Sequence, residues 1–285
     1  MTGGDCLPYR CGVTSPDHAA PTVRLRAALM VLVALLATLA ATALVAFRLA
    51  GPTPPPLNAP VDPRYPDMGM APLSSILVGQ EDSGRSYLRF SATLVNVGRG
   101  PAIVAAHRDL PFRDDWIVVQ RVEDGAGGYS EREMGARLIF GGDGHDHWHI
   151  VGAEAHQLET LEGDIVGGLV KSGFCFFDNV AYRTSLPGAP PTPTHASTEC
   201  GGRFDRDIAM GLSVGWGDEY QWYLLDQTIE ITGVPDGQYR LRAIADPANQ
   251  LEESDETNND TWTVVELSTA DGVRSVEIVE QGPAG

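Results

Sequence analysis

Leu88-Arg89-Phe90-Ser91-Ala92-Thr93-Leu94 alternates apolar and polar side chains without a break. Successive side chains of an extended chain point to opposite faces, so a period of two predicts a strand with one face in a core. Asn96-Val97-Gly98 then ends it. Toward the C-terminus, Tyr239, Leu241, Ala243 and Ala245 alternate with Arg240 and Arg242 after the turn signal Asp236-Gly237. Apolar runs at 116–119 and 262–267 supply two more strands, and 137–140 leads into a histidine-rich one. No stretch beyond residue 50 sustains an apolar period of 3.6. The expected class is therefore all-β, a sandwich with long functional loops. Residues 186–194, with Pro187, Pro190, Pro191 and Pro193, form one such loop.

The chain has 285 residues, a 43% apolar share, 32 Gly and 20 Pro, which suit short strands joined by many turns. Its net charge of -18 argues against nucleic acid as a partner and suits cationic ligands, or serves solubility. Residues 27–47 carry no charge and are long enough to span a bilayer core as one helix. Arg10, Arg24 and Arg26 precede that segment, so the positive-inside tendency puts residues 1–26 in the cytoplasm and the rest outside it. Cleavage of the segment would instead give a secreted protein. Residues 48–62, rich in proline, read as a stiff linker, 63–270 as the main folded domain and 271–285 as a tail. Of the four cysteines, Cys6 and Cys11 lie before the apolar segment and read as reduced thiols. Cys175 and Cys200 lie beyond it and are expected to form a disulfide.

Gly144-His145-Asp146-His147-Trp148-His149-Ile150 puts three imidazoles at every second position, and His156 follows seven residues on. On a strand, His145, His147 and His149 share one face and can bind one metal ion, with Asp146 and Trp148 pointing the other way. Imidazoles alone leave zinc and copper both open.

Two further segments narrow the reading. One is Lys171-Ser172-Gly173-Phe174-Cys175; the other runs Gly211-Leu212-Ser213-Val214-Gly215 to Asp218-Glu219-Tyr220. With the histidine motif, and in this order, they resemble the lysyl oxidase family, in a distant, bacterial-type form that has room for only one disulfide in the domain. The resemblance covers residues 63–267. It implies a copper ion on His145, His147 and His149, and a lysine tyrosylquinone made from Lys171 and Tyr220. It further implies that primary amines, either small amines or lysine side chains of extracellular proteins, are oxidised by O2 to aldehydes, with release of ammonia and hydrogen peroxide. His156, which matches a family histidine, is the first candidate for the base that takes the proton from the amine-bearing carbon, and Asp178 is the second.

The resemblance continues through Pro247 to Glu253-Ser254-Asp255 and Thr257-Asn258-Asn259. Oxygen ligands gathered in a turn suit calcium, and the resemblance adds Asp67 as a remote ligand to Glu253, Asp255, Asn258 and Asn259. Two other classes stay open: a non-catalytic, metal-binding adhesion module on the same β-fold, and a zinc hydrolase using Glu154. The hydrolase reading lacks a His-Glu-x-x-His element.

Overall fold

A computed structural model describes residues 62–141, 145–170, 173–224 and 227–283, all within one unit, Asn58–Gly285. The strands in chain order begin with β1 (Met68–Met70), β2 (Ser74–Gln80), β3 (Ser86–Asn96), β4 (Ala102–His107), β5 (Ile117–Glu123) and β6 (Tyr129–Glu133). Then come β7 (Leu138–Phe140), β8 (Trp148–Ile150), β9 (Glu154–Thr160), β10 (Ile165–Val170) and β11 (Val180–Ala181). A 3-10 turn, Ser197–Cys200, precedes β12 (Asp207–Leu212), β13 (Trp216–Tyr220) and β14 (Thr228–Glu230). The series ends with β15 (Gly237–Ala245), β16 (Asp260–Ala270) and β17 (Val273–Gln281).

The all-β expectation holds for these residues. One sheet runs β1-β3-β13-β11, with β2 and β14 also on β3. A second runs β10-β9-β15-β16-β17, a third β12-β4-β5-β6, and β7 pairs with β8. The first two face each other: β1 lies against β15 and β16, β2 against β17, and β14 against β10. The alternation read in 88–94 explains the interior, since β3 turns Leu88, Phe90, Ala92 and Leu94 inward, where all four are buried with Leu158, Leu241 and Val265 of the opposing sheet. Each such side chain contributes about 1.5–3 kcal/mol on burial.

Two boundaries differ from expectation. Residues 271–285 are not a tail, because Val273–Gln281 pairs antiparallel with β16. The turn between them, Asp271-Gly272, has φ of 53° and 79°, the left-handed pair that a tight two-residue hairpin requires. The histidine segment is strand only from Trp148. The apolar 27–47 segment, Cys6 and Cys11 lie outside the described residues, and no helix among the described residues is long and apolar enough to cross a membrane.

Candidate metal centre and adjoining cleft

A straight strand advances about 3.3 Å per residue, so His145 and His149 on one would stand roughly 13 Å apart at their backbones, too far to share an ion readily. The chain curls instead. The chain bends at Asp146 and His147, while Gly141, with φ of 70°, donates its N–H to the His147 carbonyl at 2.9 Å and extends the β7–β8 pairing. The rings then converge, with centroids 5.2 Å apart for His145 and His147, 4.6 Å for His147 and His149, and 6.3 Å for His145 and His149. One ligand nitrogen from each lies within 4.8 Å of the other two. Nitrogens at about 2.1 Å from one ion are at most roughly 4.2 Å apart, so side-chain rotations of well under an ångström fit the trio to a metal. His149 is fully buried and its Nδ1 lies 2.7 Å from the Gly141 carbonyl. That bond fixes the ring and presents Nε2 to the metal.

Trp148 points away from the trio, as expected, into a stack with Trp116, Phe140 and the buried Arg108 guanidinium. Arg108 donates to the carbonyls of Asp205 and Arg113 at 2.8 Å and of Arg203 at 2.5 Å, so the cation that holds Trp148 is itself anchored. Asp146 departs from expectation: the bend turns it onto the same cleft as His145 and His147.

That cleft, of about 550 Å³, also carries Tyr220, Asp218, Asn179 and Ser197. The connection is made by residues 173–181. Phe174 exchanges two backbone hydrogen bonds with Ile150 of the metal strand, at 2.8 and 2.9 Å, while Val180 and Ala181 pair with Gly217 and Trp216 of β13. Asn179 locks the register: its Nδ2 donates to Asp218, and its Oδ1 accepts the Glu219 N–H at 2.8 Å. Tyr220 is buried with its ring 4.5 Å from Phe174. Cys175 and Cys200 form the expected disulfide, which ties this segment to the 3-10 turn carrying Ser197. Lys171 lies outside the described residues.

Residues 142–273 match the lysyl oxidase family model. The chain is 28% identical over 176 residues to lysyl oxidase homolog 4 of Mus musculus, covering 61% of this chain and 18% of the relative. It is 32% identical over 118 residues to lysyl oxidase homolog 2 of Bos taurus, covering 41% of this chain and 14% of the relative. Over residues 142–273 the domain is similar to the lysyl oxidase family. Its resemblance to these proteins is distant, and the chain spans less than a fifth of the length of either.

In this lysyl oxidase-like domain, His156 does not line the cleft among the described residues. It sits fully buried on β9, its ring edge-on to Phe90 at 4.7 Å and its Nε2 2.7 Å from Glu154 Oε1. Tyr220 is opposite Ala92 on β3, and Ala92 shares a face with Phe90. Tyr220 and His156 therefore point into the same interlayer from opposite sheets. Glu154, two residues before His156 on one strand face, is a partner that spacing alone could have revealed.

Asp178 is bound differently from the expectation of a base. Its carboxylate accepts from the backbone N–H of Thr194 (2.8 Å), His195 (3.2 Å) and Ser213 (2.8 Å), and from the Ser213 hydroxyl (2.7 Å). These bonds tie the Asp178 segment to the loop at Thr194–His195 and to the turn at Ser213.

The oxygen-rich turn is drawn to Asp67. Asn258 Nδ2 donates to Asp67 Oδ1 at 2.8 Å, Ser254 N donates to the Pro66 carbonyl at 2.9 Å, and Glu253 accepts from the Met68 N–H and from Asn259 Nδ2. The side-chain carbonyls of Asn258 and Asn259 are buried with no donor among the described residues, which suits a hard cation. Burial pushes the Glu253 carboxyl up to about 8. Asp255 is exposed and caps its own turn through Thr257, bonds that hold its pKa below the ordinary value.

Proposed function

We propose that this domain is a copper-dependent amine oxidase that converts primary amines to aldehydes, with its N-terminal segment anchoring it outside the cytoplasm. The reading rests on the shared cleft: Tyr220 and the imidazoles of His145 and His147 line one cavity, although 72 residues lie between His147 and Tyr220. His145, His147 and His149 would hold the copper through their imidazole nitrogens, and the cleft beside His145 and His147 would give substrate access to it. Copper, together with a quinone built from Tyr220 and Lys171, supplies two-electron oxidation of the amine by O2, with release of ammonia and hydrogen peroxide.

The chain's own groups do the rest. Phe174, packed on Tyr220, and the buried floor of the cleft keep water from the ring. Asp218, fully buried beneath the cleft, favours a cationic amine over a neutral one. His156 is kept as the candidate acceptor of the proton that leaves the amine-bearing carbon on the family resemblance and its place in the interlayer beside Tyr220, although it lies outside the cleft lining. Glu154, whose Oε1 lies 2.7 Å from Nε2 of that imidazole, holds the ring in place. The cation site of Asp67, Glu253, Asn258 and Asn259 takes calcium and serves stability.

Peptide mapping of the full chain expressed with copper and O2 tests the proposal. The expected result is one cross-linked species joining the Lys171 and Tyr220 peptides, together with hydrogen peroxide on addition of a primary amine. Both peptides recovered unmodified from copper-loaded protein would favour a metal-binding adhesion module.

A further inference from the structure

A second cavity, about 670 Å³, lies on the outer face of the sheet β12-β4-β5-β6. The inner face of that sheet is core, with Val104, Val118, Ile208 and Met210 buried. On the outer face Ala209 pairs with Ala105, and Ala105 with Val119, so small side chains make a trough across three strands. Ile117 stands 57% exposed at its side.

The rim is acidic. Glu131, Glu199, Asp205 and Asp207 line the groove against one guanidinium, Arg121. Some of these groups have local partners: Arg121 meets Glu131 at 2.9 Å, His107 meets Asp207 at 2.6 Å, and His195 meets Glu199 at 2.9 Å. Asp205 accepts the Gly202 N–H at 2.7 Å. Arg121 offsets Glu131 and the Arg108 guanidinium acts on Asp205, so Glu199 and Asp207 give the rim its excess of negative charge around an apolar floor. Such a surface fits an extended peptide that carries both cationic and small apolar residues, and repels an acidic one.

The groove also has a position that matters. The 3-10 turn Ser197–Cys200 is a wall common to both cavities: Ser197 faces the Tyr220 cleft, and Thr198 and Glu199 face the groove. Cys200 pins this wall to the segment beside the metal strand. A wall one helical turn thick is roughly 10 Å across, which an extended chain crosses in about three residues.

We propose that the groove is a docking subsite for basic polypeptide, holding the arginine- or lysine-rich flank of a chain whose target lysine enters the Tyr220 cleft. This rests on the amine oxidase reading and narrows its substrate to lysine within a polycationic segment rather than a free small amine. Cationic residues about three positions from the target are the ones engaged.

Binding can be read without turnover. A labelled peptide with norleucine at the target position and arginines about three residues away is titrated onto the full-length, copper-free protein at low salt, with fluorescence anisotropy as the signal. The arginine-flanked peptide is expected to bind and a glutamate-flanked one not. Glu131→Gln combined with Asp207→Asn should weaken binding about tenfold. Ala209→Arg, which fills the trough and adds like charge, should abolish it. Equal binding of both peptides, or full binding by both variants, overturns the proposal. So does concentration-dependent self-association of the unaltered protein that Ala209→Arg removes, which would assign the face to a second copy. Peroxide from a small alkylamine with no preference for an arginine-flanked lysine peptide sinks the docking subsite and leaves the oxidase standing. Peptide binding as expected, with no peroxide from any amine, sinks the oxidase reading instead.

Discussion

Gly173 stands where the chain has no room for a side chain. A Cβ there would lie 2.5 Å from His149 Cβ and 3.2 Å from both His149 Cγ and Ile139 Cδ1. The glycine lets the segment that follows Lys171 lie directly on a metal ligand. Gly173→Ala should therefore push His149 off its bond to the Gly141 carbonyl and lower copper affinity about 10- to 100-fold. Competitive chelator titration measures the affinity, and the copper EPR signal reports the changed ligand field. Unchanged affinity would mean that His149 is not held from this side. At this scale the histidine trio was legible because imidazole carries its chemistry in its identity, whatever the backbone does. Asp178 was not: a carboxylate among phenylalanines reads alike whether it is open or closed off by four hydrogen bonds.

Those four bonds belong to elements rather than to one residue, since they join the Asp178 segment to the loop at Thr194–His195 and to the turn at Ser213 just before β13. Asp178→Asn places an amide against donors and removes the charge. It should cost about 2–3 kcal/mol, measured by denaturant unfolding, while copper binding and the Tyr220 modification persist. Loss of turnover at full stability would instead return Asp178 to the candidate bases. The strands of a period-two pattern were the legible elements, and β3 and β15 run as the alternation predicts. The histidine strand was misread because alternation of ligands mimics alternation of burial, whereas the trio is assembled by a bend at Asp146 and His147. The last strand was missed because both faces of 273–281 are largely exposed, so it carries no apolar period; its only local signal is Asp271-Gly272.

On the scale of the whole molecule, the start of the domain is tied to the loop before its penultimate strand by Asp67, Met68, Glu253 and Asn258, across 185 residues between Met68 and Glu253. Burial, reinforced by Glu256 and Asp246, holds the folded Glu253 carboxyl at about 8 against 4.5 for the free group. Between those values the native chain keeps a proton that the unfolded chain has released, so without calcium this group's stabilising contribution is complete below about pH 4.5 and is lost as pH rises toward 8. On the proposed reading calcium would compete for the same oxygen and replace the proton. Its stabilisation should therefore be small at pH 5 and large at pH 8, reaching about 2.7 kcal/mol at a hundredfold excess over Kd. For a domain of this size that raises Tm by roughly 5–10 °C. Thermal unfolding of copper-free protein with calcium or with EGTA, at both pH values, reads the difference directly. Glu253→Gln should flatten the pH dependence and remove most of the calcium response. A Tm at pH 8 indifferent to calcium would leave the proton as the site's only occupant, and the buried asparagine carbonyls would then need another explanation.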